Sequence, residues 1–108
     1  MGLLSTVEAR LPNGFHDADI TGLSRDNARL VITIRPWLGD DTHGAPIDLC
    51  LSGWQDMSAN FDDYVRAVGT DTWFDIVESN EGDIEVFCGR ISEPLVIRSV
   101  GSVSGGQA

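Results

Sequence analysis

Residues 29–35 alternate apolar and polar side chains more clearly than any other segment of the chain. Leu30, Ile32 and Ile34 fall on one face of an extended strand, and the residues between them fall on the other face. Such alternation is typical of a strand with one face against a core and one face in water, as in antiparallel sheets. A second strand is predicted over residues 18–24, and the short polar turn between the two segments favours a hairpin.

The remaining segments extend this pattern to a prediction of the whole fold. A helix is predicted over residues 58–68, because apolar residues from Phe61 to Val68 repeat at the spacing of one helical face. Further strands are predicted over residues 47–54, 72–78, 83–91 and 95–100. The predicted fold class is α+β: a single, largely antiparallel sheet in the order β-β-β-α-β-β-β, with one helix packed on a face.

The length of the chain, 108 residues, allows one domain. We expect residues 1–100 to form a single globular domain and the Gly/Ser-rich residues 101–108 to form a disordered tail. No window contains the roughly 20 apolar residues of a membrane-spanning helix. The N-terminal segment also lacks the basic region and the long apolar run of a secretory signal. These features predict a cytoplasmic protein that does not enter a membrane.

Acidic residues are concentrated in one half of the chain. The sequence has 17 Asp and Glu residues against 7 Arg, which gives a formal net charge of -10. Twelve of the acids lie between Trp37 and Gly89, where Arg66 is the only base. A negative surface repels nucleic acid and speeds association with a cationic protein, so we predict a basic protein partner, with solubility as the alternative role of the charge. The residues predicted to bind this partner are Asp40, Asp41, Trp54, Asp56, Asp62, Asp63 and Asp71.

Two histidines and their neighbouring carboxylates are candidates for chemistry. His16 and Asp17 are the catalytic candidates, because a histidine oriented by a carboxylate can act as a general base. Asp17 and Asp19 point to the same side of an extended chain and, with His43, are candidate ligands for a divalent cation. The alternative is a structural turn that Phe15 anchors in the core. The chain has no nucleophile motif and no phosphate-binding loop, and we predict no cofactor.

Residues 13–19, with the sequence NGFHDAD, precede the predicted hairpin. This arrangement resembles the opening of small uncharacterised bacterial proteins, some of which resemble immunity proteins of toxin–antitoxin-type competition systems. The resemblance covers residues 11–38 and supplies no catalytic residues. It implies a small cytoplasmic α+β protein of bacterial origin, with neutralisation of a toxin as its role.

Three functions follow as hypotheses. The leading one is a non-catalytic acidic protein-binding domain, in its most specific form an immunity-type inhibitor of a basic toxin. The first alternative is a small hydrolase or metal-dependent enzyme that uses His16 and Asp17, so the sequence leaves open whether the chain is an enzyme. The second alternative is a homo-oligomeric assembly protein, such as a homodimer formed through an exposed edge strand.

Overall fold

The computed structural model describes residues 2–26, 28–69, 72–79, 82–89 and 91–107. These residues form two short helices and ten strands. The helices are α1, Ser5–Glu8, and α2, Phe61–Ala67. The strands are β1, Asp19–Arg25; β2, Arg29–Arg35; β3, Trp37–Gly39; β4, Thr42–His43; β5, Ile47–Ser52; β6, Asp56–Met57; β7, Phe74–Glu78; β8, Ile84–Cys88; β9, Ile91–Arg98; and β10, Ser102–Gln107.

The fold is mainly β, since strands hold 52% of the described residues and helices hold 11%. Two four-stranded sheets have the orders β1-β2-β5-β10 and β6-β9-β8-β7, and β3 and β4 form a separate two-stranded ribbon. Every pairing is antiparallel. The predicted α+β fold with a single sheet in the order β-β-β-α-β-β-β is therefore wrong. Hydrophobic alternation identifies strands, but it does not determine which strands pair.

Two bent strand segments connect the four-stranded sheets. β5 continues into β6 and β9 continues into β10, so each segment begins in one sheet and ends in the other. Hydrogen bonds cross the bend, from the Gln55 amide to the Arg98 carbonyl at 2.8 Å and from the Gly101 amide to the Ser52 carbonyl at 2.9 Å. Gly53 permits this close approach, because it has a φ of 72° and a Cβ there would lie 3.2 Å from the Gly101 Cα.

The opposite edges of the sheets also meet. Asp19 of β1 forms an isolated bridge with Trp73, the residue before β7. The Ile20 amide donates to the Thr72 carbonyl, and the Phe74 amide donates to the Ala18 carbonyl, each at 2.9 Å. The two sheets therefore curve into a partly closed, six-stranded barrel around one hydrophobic core.

The core is built from the alternating apolar residues of the strands. β2 has the bounds predicted from its alternation, and its Leu30, Ile32 and Ile34 side chains are fully buried. Equivalent buried pairs come from the other strands: Leu49 and Leu51, Ile84 and Val86, and Leu95 and Ile97. Alternation therefore sets which side chain enters the core in each strand.

Helix α2 begins at Phe61, three residues after the predicted start, and packs on β9 and β1. Tyr64 is its buried residue, whereas Val65, which belongs to the predicted apolar face, is 39% exposed. The Tyr64 side chain enters the barrel where the register of β8 and β9 shifts. No helix among the described residues has the length and apolar character needed to cross a membrane.

The predicted disordered tail is wrong for residues 102–107. These residues form β10 and pair with β5 from Ser102–Ser52 to Gln107–Ile47. A strand can be ordered through its backbone hydrogen bonds even where Gly and Ser side chains bury little area. Gly105 also gives α1 its place on β10, because a Cβ there would lie 2.9 Å from Val7. Ala108 lies outside the described residues.

Candidate functional site

The outer face of β7 and β8 exposes large apolar side chains beside carboxylates. Trp73 is 53% exposed and Val77 is 44% exposed. Asp75 pairs with Phe87 and Val77 pairs with Glu85 across the two strands, so these residues share one side of the sheet. We call this surface, formed by Trp73, Asp75, Val77, Glu85 and Phe87, the Trp73 face.

Strand geometry explains why these side chains point outward. Phe74 and Ile76 are 2% and 6% exposed, and their burial turns the alternate residues Trp73, Asp75 and Val77 towards solvent. The Trp73 indole occupies the space that a side chain at position 89 would fill, since a Cβ on Gly89 would collide with its Nε1 and Cδ1 atoms. The backbone bridge to β1 therefore places residue 73 at the edge of the sheet, and its indole lies against Gly89.

The charge of the Trp73 face is negative. β7 and β8 contain Asp75, Glu78 and Glu85 and no basic residue. Glu78 is used within the fold, where its carboxylate accepts the Leu3 and Leu4 amides at 2.9 and 3.0 Å. The Glu85 side chain has no hydrogen bond or ion pair with any other described residue, so its charge is available to a partner.

The predicted catalytic pair forms in the structure, but it is open to solvent. The His16 Nε2 atom lies 3.2 Å from the Asp17 Oδ2 atom, and the two side chains are 72% and 61% exposed. The His16 ring packs edge-on against Trp37, with 5.8 Å between ring centroids. A general base needs a substrate held against it, and this exposed pair has no nucleophile motif beside it in the sequence.

Of the candidate metal ligands, His43 lies beside the Asp19 carboxylate and the Asp17 backbone carbonyl, whereas the Asp17 carboxylate faces His16. The His43 Nε2 atom lies 3.0 Å from the Asp17 carbonyl oxygen and 3.7 Å from an Asp19 carboxylate oxygen. Because a carbonyl oxygen can only accept, His43 Nε2 donates this hydrogen bond. A protonated Nε2 atom has no lone pair with which to bind a metal ion. Within the described part of the chain, no three His, Cys, Asp or Glu residues are arranged to hold a metal ion. The contact joins the β3–β4 ribbon to the start of β1.

The predicted partner-binding residues divide between the two ends of β1, which are roughly 20 Å apart at the usual rise of a strand. Asp40 and Asp41 form the turn of the β3–β4 ribbon, with φ values of 51° and 60°. The ribbon is held at the Asp19 end through His43, so these two carboxylates lie at the same end as Trp73.

Among the other predicted residues, Trp54, Asp56, Asp62 and Asp63 lie near the Arg25 end of β1. The Arg25 guanidinium lies 5.9 Å from the ring centroid of half-buried Trp54 and 5.2 Å from that of Phe61. Asp62 lines a cavity beside Arg25. Two carboxylates of this group are engaged within the fold: Asp56 with Arg98 at 2.7 Å and Asp63 with Arg66 at 2.6 Å. Asp71 lies outside the described residues.

Sequence reasoning identified the segment but not the Trp73 face. The predicted strand over residues 72–78 places Trp73, Asp75 and Val77 on one side, and this alternation is the signal that could have found the face. The density of charge instead led to a prediction of binding residues in the acidic loop and helix. Ion pairs such as Asp56–Arg98, which joins residues 42 positions apart, depend on the three-dimensional fold.

The chain matches no protein-family model, no curated protein and no solved structure. Its function is therefore argued from the geometry and chemistry of its own residues.

Proposed function

We propose that this chain is a non-catalytic acidic protein-binding domain that binds a basic protein on the Trp73 face. The observation that carries the proposal is the exposure of Trp73 and Val77 beside Asp75 and Glu85, on strands without a basic residue. Exposed apolar side chains that lie together mark interaction surfaces, and tryptophan is enriched among the residues that dominate binding energy.

The charge of the whole chain supports a cationic partner. A net charge of -10 attracts a basic protein over distances longer than any single contact and raises its rate of association. Asp40 and Asp41 strengthen the field at the Trp73 end of β1. The same charge opposes a homodimer formed face to face, because Asp75 and Glu85 of the two copies would repel each other.

The most specific form of this proposal is an immunity-type inhibitor that neutralises a basic toxin in the bacterial cytoplasm. It is supported by the resemblance of residues 13–19 to the opening of small bacterial proteins and by the acidic surface. The exposed His16–Asp17 pair does not favour an enzyme over a binding domain.

The test begins with capture of proteins from a lysate of the source cell on the immobilised full chain. The most enriched basic protein is then purified, and its Kd is measured at about 0.05 M and about 0.5 M salt. We expect the affinity to fall at least about tenfold at the higher salt concentration.

Two variants locate the binding surface. Trp73→Ser combined with Glu85→Gln changes the Trp73 face and is expected to weaken binding by about a hundredfold, because it removes an anchor and a charge. Asp62→Asn, at the other end of β1, is the matched control and is expected to keep the affinity. Salt-independent binding, or equal affinity of the double variant and the control, would contradict the proposal.

A further inference from the structure

A small cavity of about 160 Å³ lies at the Asp17 side of the Trp73 face. Its lining residues are Phe15, His16, Asp17, Trp73, Phe74 and Asp75. Pockets that bind drug-sized ligands measure about 300–1,000 Å³, so this cavity is smaller than those. The cavity therefore suits the end of one side chain rather than a drug-sized ligand.

Two buried aromatic side chains form the apolar part of the cavity lining. Phe15 and Phe74 are 3% and 2% exposed. Their rings pack edge to face, with centroids 6.1 Å apart and planes at 81°. Aromatic pairs favour this arrangement, so the two rings stabilise each other beneath the cavity.

The sides of the cavity combine an aromatic ring with two carboxylates. The Trp73 indole forms one side and is held in place above Gly89. Asp75 Oδ1 accepts the Ile76 amide at 2.8 Å, which leaves Oδ2 without a partner among the described residues. Asp17 Oδ2 faces His16, which likewise leaves its Oδ1 free within the described part of the chain.

We propose that this cavity receives an arginine side chain of the basic partner; the inference rests on the proposed function and names the group that it recognises. The guanidinium group stacks on the Trp73 indole and donates hydrogen bonds to Asp17 and Asp75. Arginine fits better than lysine, because its planar cation stacks on aromatic rings and donates to more than one carboxylate at once.

The first test uses capped arginine, N-acetyl-arginine amide, with the full-length protein labelled with ¹⁵N. The indole N–H signal of Trp73 is assigned by its loss in Trp73→Phe. We expect a saturable shift of this signal with capped arginine, and binding at least about fivefold weaker with capped lysine or with capped citrulline, the uncharged analogue of arginine. Equal binding of arginine and citrulline, or a shift that does not saturate, would overturn the proposal.

Two substitutions separate the roles of the ring and the carboxylate. Gly89→Ala places a methyl group where the Trp73 indole lies and displaces the ring without changing the charge. Asp75→Asn removes one carboxylate charge. Each substitution is expected to weaken the binding of capped arginine at least about fivefold. Glu85→Gln is the control, because Glu85 belongs to the Trp73 face but does not line the cavity. The affinity of this variant for capped arginine should remain within about twofold of that of the unchanged protein.

If Gly89→Ala fails to fold, Trp73→Leu replaces it as the ring variant. The exposed Trp73 side chain contributes little to the core, so its replacement should leave the fold intact. Unchanged arginine binding in the folded ring variant and in Asp75→Asn would overturn the proposal.

Measurements with the purified basic partner distinguish failure of this inference from failure of the proposed function. If partner binding is lost in Trp73→Ser with Glu85→Gln but unchanged in Asp75→Asn and Gly89→Ala, the binding surface stands and the arginine site is excluded. If capped arginine binds as expected but no basic protein binds the Trp73 face, the arginine site stands and the proposed function is excluded.

Discussion

The hydroxyl group of Tyr64 donates a hydrogen bond to the carbonyl oxygen of Glu93 at 2.6 Å. It also lies 3.0 Å from the carbonyl oxygen of Val86. These carbonyls belong to β9 and β8, at the point where the register of their pairing shifts. One helical side chain thus brings a single O–H donor to a place where two strand carbonyls converge.

Replacement of Tyr64 by Phe should destabilise the protein by about 1–3 kcal/mol, because it removes the single O–H donor that the partly buried Glu93 carbonyl and the buried Val86 carbonyl face. Urea denaturation measures this change, and the slope of the transition should remain constant. Val65→Ala on the exposed side of the same helix is the control, with an expected change within about 0.5 kcal/mol. Equal stability of the two variants would show that the hydroxyl contributes nothing.

Stability should also fall at alkaline pH. Burial, and secondarily the electrostatic effect of Cys88, raises the pKa of Tyr64 to about 12, whereas an unfolded tyrosine has a pKa of about 10. The folded state therefore favours the neutral hydroxyl, and this stabilisation is fully present below about pH 10 and is lost as the pH rises to about 12.

Tyr64 is the only tyrosine of the chain, so tyrosinate absorbance reports this group alone. We expect the native protein to ionise well above a denatured sample in an alkaline titration. The loss of stability between about pH 10 and about pH 12 should be smaller in Tyr64→Phe. A native titration that overlays the denatured one would contradict this expectation.

Two glycines on the bent strands give a matched pair of substitutions. Gly53 has a φ of 72° and its Cβ would lie 3.2 Å from the Gly101 backbone, so Gly53→Ala should cost about 1–3 kcal/mol of stability. At Gly106 an added Cβ meets nothing within 4 Å, so Gly106→Ala should change stability by less than about 1 kcal/mol. Thermal and urea unfolding of both variants measure the difference. An equal loss of stability in the two variants would contradict a special requirement for glycine at position 53.

Glu78 attaches the N-terminal segment to the end of β7. Glu78→Gln removes the charge and replaces one of the two oxygens that accept the Leu3 and Leu4 amides by an NH2 group, and should destabilise the protein by about 1 kcal/mol. Hydrogen exchange at these two amides should accelerate while the core strands keep their protection. Glu85→Gln, on the neighbouring strand, should leave both amides protected.

The sequence predicts individual strands better than it predicts their arrangement. The bounds of β2 follow from its alternation, since Leu30, Ile32 and Ile34 all enter the core. The bridge between Asp19 and Trp73 joins edges far apart in sequence, and no local pattern specifies it. Strand β10 was not predicted for a related reason. It is ordered by backbone hydrogen bonds to β5, and a run of Gly and Ser residues carries no side-chain pattern that indicates such pairing.

The candidate site could be predicted in part. The acidic half of the chain contains the Trp73 face, and the alternation of residues 73–77 is visible in the sequence. Which carboxylates remain free could not be predicted, because Asp56 and Asp63 are engaged by arginines while Glu85 is not. Charge density therefore indicates the segment, and the pairing of charges in the fold selects the surface within it.

The bent segments β5–β6 and β9–β10 make the two sheets interdependent. Each segment is an interior strand in one sheet and an edge strand in the other. Neither sheet can therefore separate from the core without removing strands from the other. The barrel should accordingly unfold as one cooperative unit. A partner bound to the Trp73 face on one sheet would then slow the opening of the entire molecule.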